Sequence, residues 1–531
     1  MPIQSELHVL GCWVMRWACL AALSLLAAAC VAAPDMAPAP HEGRQGAAPN
    51  ASEIALSAPT HNPSTDIFYH VFVRSMRDSN GDRHGDLQGL IASLDYLQSL
   101  GVTTLLLTPL YPSLFYHNYF ASDFEGIDAE YGSMADFRQL VAALHARGMQ
   151  VYLDEEIQYT DDRHAWYTDS HHNPASEYAD FILYDDPQHG TAASGPFGLR
   201  SIASYGNTPV LLTSVNLKSA KVQAYFQRYF QSWIDPDGNG DFSDGVDGFR
   251  IDHMMDDLDD KGVQTDLFAS FWRPIFDRAR AINPGIRFIA EQADWGYGAD
   301  FLTRGDTDFV FAFPLRAAIG AFDKDKIVAA LHGTAAATPA GKQQLIFVEN
   351  HDMHRLASES GITPEKLRTA AALNLLLAGT PIIYYGQELG MRGLQSRAYQ
   401  SDENDIGVRE AFEWTAKIDA PINATWYRGT RPYWTQRHAR DDDGVSVEEQ
   451  DRDRQSLLNT YRMLIGLRRD YAALRSDAQR VLDSAPRVLA IERGKNHARA
   501  WLIANLSDTP QRYTLPDAAG VHAGAVVDLL G

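Results

Sequence analysis

Gly101-Val102-Thr103-Thr104-Leu105-Leu106-Leu107-Thr108-Pro109 is the stretch that decides the fold. Its apolar run, Val102–Leu107, reads as a β-strand that stops at Thr108-Pro109. Just before it, Leu87, Leu90, Ile91, Leu94, Leu97 and Leu100 recur at the spacing of one helix face, which predicts a helix over Leu87–Leu100. Just after it come a helical pattern over Phe137–Arg147 and a second β run, Gln150–Leu153. Further out lie the β runs Ile67–Val73, Gly248–Ile251, Arg287–Ala290, Phe309–Phe313, Leu345–Val348 and Ile382–Tyr385. Eight strands, mostly followed by helical segments, predict a parallel α/β sheet closed into a (β/α)8 TIM barrel.

Two regions break this rhythm. Residues 155–216, after the third strand, are rich in Asp, His, Tyr, Gly and Pro and read as a small insert. From about Val481 the pattern becomes short β segments, Val488–Arg493 and Ala498–Leu506, which predict a small C-terminal β domain. The barrel then occupies 64–154 and 217–480, and the terminal domain 481–531.

The chain has 531 residues, 45% apolar and 21% charged, a globular composition with length for a large core. Its 46 Lys and Arg face 68 Asp and Glu, a net charge of −22. Phosphates are repelled by such a surface, so nucleic acid is excluded as a partner and neutral substrates or cations suit it better. Cys12, Cys19 and Cys30 are the only cysteines, and none falls in the folded body, so disulfides and Cys-ligated metals are excluded there. Trp17–Ala33 is uncharged, rich in Leu and Ala, and preceded by Arg16. It is marginal for a membrane span and suits an export signal over residues 1–30, for which Met15 offers a second start. Its end, Ala27-Ala28-Ala29-Cys30, resembles a bacterial lipobox, which implies lipid on Cys30. Ordinary cleavage after Ala29 or Ala33 is the other reading. Residues 31–63 are Pro- and Ala-rich without periodicity and read as a flexible linker. The expected location is the periplasm or cell surface as a lipoprotein, or the medium, with the membrane touched only through the lipid anchor.

Function in such a barrel gathers at the C-terminal strand ends. Three acids stand there: Asp252 ends Gly248-Phe249-Arg250-Ile251-Asp252, Glu291 ends Phe288-Ile289-Ala290-Glu291, and Asp352 ends Phe347-Val348-Glu349-Asn350-His351-Asp352. Each carboxylate is costly after an apolar strand unless exposed, paired or used. Alternation places Arg250 and Asp252 on one face, so the guanidinium is expected to hold Asp252 ionised as a nucleophile needs. Glu291 is the candidate acid, kept protonated by burial or like charge.

These segments resemble glycoside hydrolase family 13, the α-amylase family. So do Gly379-Thr380-Pro381 with Tyr384, Gly386 and Glu388, the Gly101–Pro109 stretch, and Val215-Asn216-Leu217. The resemblance runs from about Asp66 to the last residue. It implies a catalytic barrel, an inserted domain B, a C-terminal β domain that stops short of its relatives' last strands, and retaining cleavage of α-glucosidic bonds. Asp252 would be the nucleophile, Glu291 the acid/base and Asp352 the stabiliser of the transition state. Arg250, His351, Tyr119, Tyr159, Arg355 and His117 would contact the sugar. The expected activity is α-amylase-like, on starch or maltooligosaccharides, by a monomer. An α-glucosidase or glucosyl-transferring member of the family is the close alternative, and a non-catalytic glucan-binding lipoprotein the distant one.

Some positions depart from the family pattern. Gln158 stands where an Asn often ligates calcium between barrel and domain B, which counts against that site. Tyr159 replaces a sugar-binding His, and Phe120 an Asp. Beyond the nucleophile, Met255-Asp256 replaces a Lys-His pair. Two loops offer oxygens to a cation. Asp78, Asn80, Asp82, His84 (through its carbonyl) and Asp86 alternate along the first, which resembles a calcium loop of the family; Asp235-Pro236-Asp237-Gly238-Asn239-Gly240-Asp241 is the second.

Overall fold

The computed structural model describes Ala28–Ala32, residues 65–514 except 206, 400, 430, 431, 497 and 508, and Val526–Asp528. Apart from Ala28–Ala32, the expected leader and linker lie outside these residues. Eight parallel strands close a barrel: β1 Phe68–Val71, β2 Thr104–Leu107, β3 Gln150–Glu155, β4 Gly248–Met254, β5 Arg287–Gln292, β6 Phe309–Phe311, β7 Gln343–Ile346 and β8 Thr380–Tyr384. The circle shuts where Ile382 of β8 pairs with Phe68 of β1.

The period of two along each strand sorts side chains into two cores. Phe68, Leu106, Tyr152, Ile289, Phe309, Leu345 and Ile382 form one cluster that fills the lumen. Their neighbours Tyr69, Leu105, Val151, Phe249, Phe288 and Ile383 pack outward into the helical layer. Each fully buried side chain of this size contributes roughly 1.5–3 kcal/mol. Gly248 has no room for more, because a Cβ there would sit 2.3 Å from the Tyr152 ring. Two residues further along the same strands the lumen becomes polar: Phe68 gives way to His70, Tyr152 to Asp154, Gly248 to Arg250 and Ile289 to Glu291, all of them buried.

Some element bounds differ from expectation. The helix expected over Leu87–Leu100 is two, Leu87–Ala92 and Leu94–Leu100. Ser93 stands at the break, where its hydroxyl donates to the Gly89 carbonyl at 2.8 Å and competes with the backbone ladder. The next helix starts earlier, at Met134, because Ser133 and Asp136 form a capping box. β6 ends at Phe311, and Pro314 opens the helix Phe313–Gly320.

The insert carries an antiparallel three-stranded sheet, with Thr208–Ser214 between Tyr159–Asp161 and Ser201–Ser204. The C-terminal sheet runs Gln479–Leu482, Val488–Lys495, Ala498–Asn505, Ala28–Ala32, Val526–Asp528. Sequence reading gave Ala28–Ala32 no strand. It pairs antiparallel with both neighbours, Cys30 opposite Trp501 and Asp528. No helix among the described residues is long and apolar enough to cross a membrane.

Candidate active site

Arg250 organises the polar end of the lumen. It is 1% exposed, and its side chain faces three carboxylates. Nη1 donates to Asp154 Oδ1 at 2.6 Å, to Asp154 Oδ2 at 2.8 Å and to Asp252 Oδ1 at 2.5 Å, while Nη2 donates to Glu291 Oε2 at 2.8 Å. β3, β4 and β5 are thus joined through one cation, whose desolvation is offset only because all three acids surround it.

A second chain of bonds brings in the loop after β7. The Tyr119 hydroxyl donates to Asp154 Oδ2 at 2.7 Å and lies 2.9 Å from His351 Nε2. The two rings stack, 5.5 Å apart and 7° from parallel. With Tyr119 donating to Asp154, its oxygen accepts from His351 Nε2–H, an assignment made from the network. Burial and the nearby Arg409 and Arg250 push His351 well below the usual histidine range, so the ring is neutral. Asp352 Oδ2 lies 3.0 Å from the same nitrogen, and Asp352 Oδ1 accepts from Arg409 Nη2 at 2.8 Å.

Burial raises both the Asp252 and the Glu291 carboxyl. Burial pushes Glu291 up to about 7 against the pull of Arg250, with Asp252 and Asp352 adding to the rise. Burial also raises Asp252, which corrects the expectation that Arg250 alone would hold it ionised: the guanidinium offsets the desolvation only in part.

The structure thus brings Asp252, Glu291, Asp352, Arg250, His351 and Tyr119 together at one end of the barrel. His117 stands beside them, its Nδ1 accepting from the Tyr119 N–H at 3.1 Å. It also lines an open cleft of about 540 Å³ with Phe115, His354, Asp402 and Asp405. That cleft touches none of Asp252, Glu291 and Asp352, but it connects to Asp352 through Arg409, whose Nη2 is 3.5 Å from Asp405 Oδ2.

Two expected sugar contacts are placed differently. Arg355 is fully buried, donates to Glu349 Oε1 at 3.1 Å and to the Tyr385 carbonyl at 2.7 Å, and lies against the Tyr384 and Tyr385 rings. It is corrected to a core residue, because its charge is already neutralised away from the cleft. Tyr159 is 1% exposed and its hydroxyl donates to Asp259, with its ring edge-on to Phe120. Arg409 was missed. It supplies Asp352 with its cation from 57 residues away, a spacing that carries no sequence signal.

At the barrel–insert junction, Gln158 Nε2 donates to the Asp252 carbonyl at 2.5 Å and to the His253 carbonyl at 3.0 Å. A donor aimed at those carbonyls does not fit a calcium ion there. In the first candidate loop, Asp78 accepts from the N–H groups of Asn80, Gly81 and Arg83, and Asp82 from that of His84. Asp86 accepts from Ser79 and caps the next helix through Gly89 N–H. In the second, Asp235 and Asp237 are joined by Asp244 rather than Asp241. Among the described residues these three form the one such group of acidic, His or Cys side chains, with ligand atoms within 4.8 Å of one another.

A family model described as the α-amylase catalytic domain matches residues 70–263 and 306–477. The chain is 29% identical to an "Alpha-amylase 3" of Dictyoglomus thermophilum over 459 residues, covering 83% of this chain and 84% of that one. It is also 29% identical to a 4-α-glucanotransferase of Thermotoga neapolitana, with 76% and 87% covered. Among solved structures, an α-amylase from H. orenii superposes with a TM-score of 0.69 at 26% identity, over 83% of this chain and 89% of that one. The matched segments carry the end of β1, β2 to β4 and β6 to β8 with Asp252 and Asp352, so fold and sequence agree: the chain belongs to the α-amylase family, glycoside hydrolase family 13.

Proposed function

We propose that the protein is a retaining α-glucan hydrolase that cleaves α-1,4-glucosidic bonds in starch or maltooligosaccharides. The observation that carries this reading is the single Arg250 fork on Asp252 and Glu291. So short a link suits the separation of about 5–5.5 Å that retention needs, rather than the gap of roughly 6.5–9.5 Å that admits water for inversion. Asp252 attacks the anomeric carbon while Glu291 protonates the departing oxygen. Glu291 then takes a proton from the water that releases the sugar. Asp352, oriented by Arg409 and His351, accepts hydroxyl bonds from the same glucose.

Glucosyl transfer is the second reading, favoured by equal identity to an amylase and a glucanotransferase. Products from starch, maltooligosaccharides, pullulan, isomaltose and sucrose, with Asp252→Asn as the blank, test both. Shorter chains with new reducing ends are expected; products longer than the substrate would replace hydrolysis by transfer.

The profile of kcat/KM against pH is expected to be a bell. Activity rises as the Asp252–Glu291 pair loses its first proton and falls as it loses the second, and burial of both carboxyls moves the two limbs above the ordinary carboxylate range. Starch cleavage measured from about pH 4 to about pH 9 checks this, and a flat plateau to the alkaline end would contradict it.

Calcium at the Asp78–Asp86 loop is part of the proposal, supported by oxygen side chains at alternate positions and the left-handed Gly81 turn, φ 88°. Chelation is expected to lower Tm, since an ion at about 100 times its Kd stabilises by about 2.7 kcal/mol. Asp82→Ala should abolish most of that response. Loss of the response in Asp237→Ala instead would move the ion to the second loop. Export with lipid on Cys30, and a monomeric enzyme, complete the proposal; the cleavage this needs would take Ala28 and Ala29 from the sheet and leave Cys30–Ala32 of that strand.

A further inference from the structure

Asp259, in the loop after β4, is a buried carboxylate that the catalytic scheme above does not use. Its side chain is 1% exposed. Oδ1 lies 2.9 Å from His253 Nε2, and Oδ2 accepts from the Tyr159 hydroxyl and lies 3.7 Å from Lys261 Nζ. The Phe197 N–H also donates to this carboxylate. Lys261 in turn donates to the Ser194 carbonyl at 2.6 Å and the Gly195 carbonyl at 3.1 Å. One carboxylate thus ties the start of the insert, at Tyr159, and its Ser194–Phe197 turn to the residue after Asp252. Three of the residues concerned, His253, Asp259 and Phe197, hold left-handed φ angles of 46°, 55° and 53°, a conformation that needs such over-determined surroundings.

His253 links this hub to the chemistry. Its side chain is held by Asp259 and its carbonyl by Gln158, and its N–H donates to Glu291 Oε2 at 3.1 Å. Arg250 Nη2 donates to the same oxygen. With both donors on Oε2, the proton of neutral Glu291 belongs on Oε1, which remains for the glycosidic oxygen. We propose that Asp259 is a positioning residue that, through His253, fixes which oxygen of Glu291 carries the catalytic proton. This rests on the reading of Glu291 as acid/base. A local sequence motif would not show it, because Tyr159 and Asp259 are 100 residues apart.

The direction of the pH effect follows from the groups in contact. Glu291 faces Arg250, Asp252 and His253 from β4 and Asp352 from the loop after β7. His253 faces Glu291, Arg250, Asp260 and Asp259, the last paired with Lys261. An N–H bond favours the ionised carboxylate, so its loss raises the Glu291 value and moves the basic limb of the profile upward.

The test compares Asp259→Ala, Asp259→Asn and Asp259→Glu with the wild type on maltooligosaccharides and on 2,4-dinitrophenyl α-glucoside, whose leaving group needs little protonation. Asp259→Ala is expected to lose about tenfold or more in kcat/KM on the oligosaccharide, less than about threefold on the aryl glucoside, and to shift the basic limb upward. Asp259→Asn, which keeps an acceptor for the imidazole, should recover most of the loss. Asp259→Glu, which displaces that acceptor by one methylene, should show the same split and carries the test if the Ala variant does not fold. Equal losses on both substrates with an unmoved basic limb would overturn the proposal alone. A wild type inactive on every α-glucoside would overturn it together with the reading of Glu291.

Discussion

Asp252→Asn is expected to lower kcat/KM on starch by on the order of 10⁴-fold or more, the scale seen when a covalent nucleophile is removed. Asparagine has the same shape, but its amide cannot attack the anomeric carbon. The fold should survive, because Arg250 keeps Asp154 and Glu291 as partners. Loss of the Asp252 charge also removes one contribution that raises Glu291, so the remaining acid should titrate lower in the variant. Kinetics on soluble starch, with a melting curve of the same preparation, check both statements. Near-normal turnover by a folded Asp252→Asn protein would dismiss Asp252 as the nucleophile.

Glu291→Gln is expected to act selectively. General acid catalysis is worth about 10²–10⁴-fold, and that is the loss expected on starch and maltooligosaccharides, whose leaving oxygen must be protonated. Aryl α-glucosides with acidic phenols should lose far less in bond cleavage, and the falling alkaline limb should disappear from their profile. A uniform loss across leaving groups would instead make Glu291 a binding residue.

The barrel was legible because a strand sorts its side chains by a period of two, and that period links core to chemistry. Ile289 fills the lumen and Glu291, two residues on, reaches the site; Tyr152 and Asp154 repeat the relation. The resemblance misplaced Arg355 as a sugar contact, because the loop after β7 turns it inward to Glu349. Arg409 and Asp259 were invisible because their partners meet only after the barrel closes and the insert folds over it. Ala28–Ala32 shows another limit: a short run of Ala, Cys and Val suits a leader and also a strand, and nothing local in the sequence points to the Ala498–Asn505 strand it pairs with.

The stereochemistry of the first product tests the central claim most directly. Two displacements at one carbon, first by Asp252 and then by water activated by Glu291, return the anomeric centre to its starting configuration. Proton NMR of maltooligosaccharide cleavage, recorded before mutarotation, is predicted to show the α-anomer of the new reducing end appearing first. Initial release of the β-anomer would contradict the account, because it requires direct attack by water and a role for Asp252 other than nucleophile.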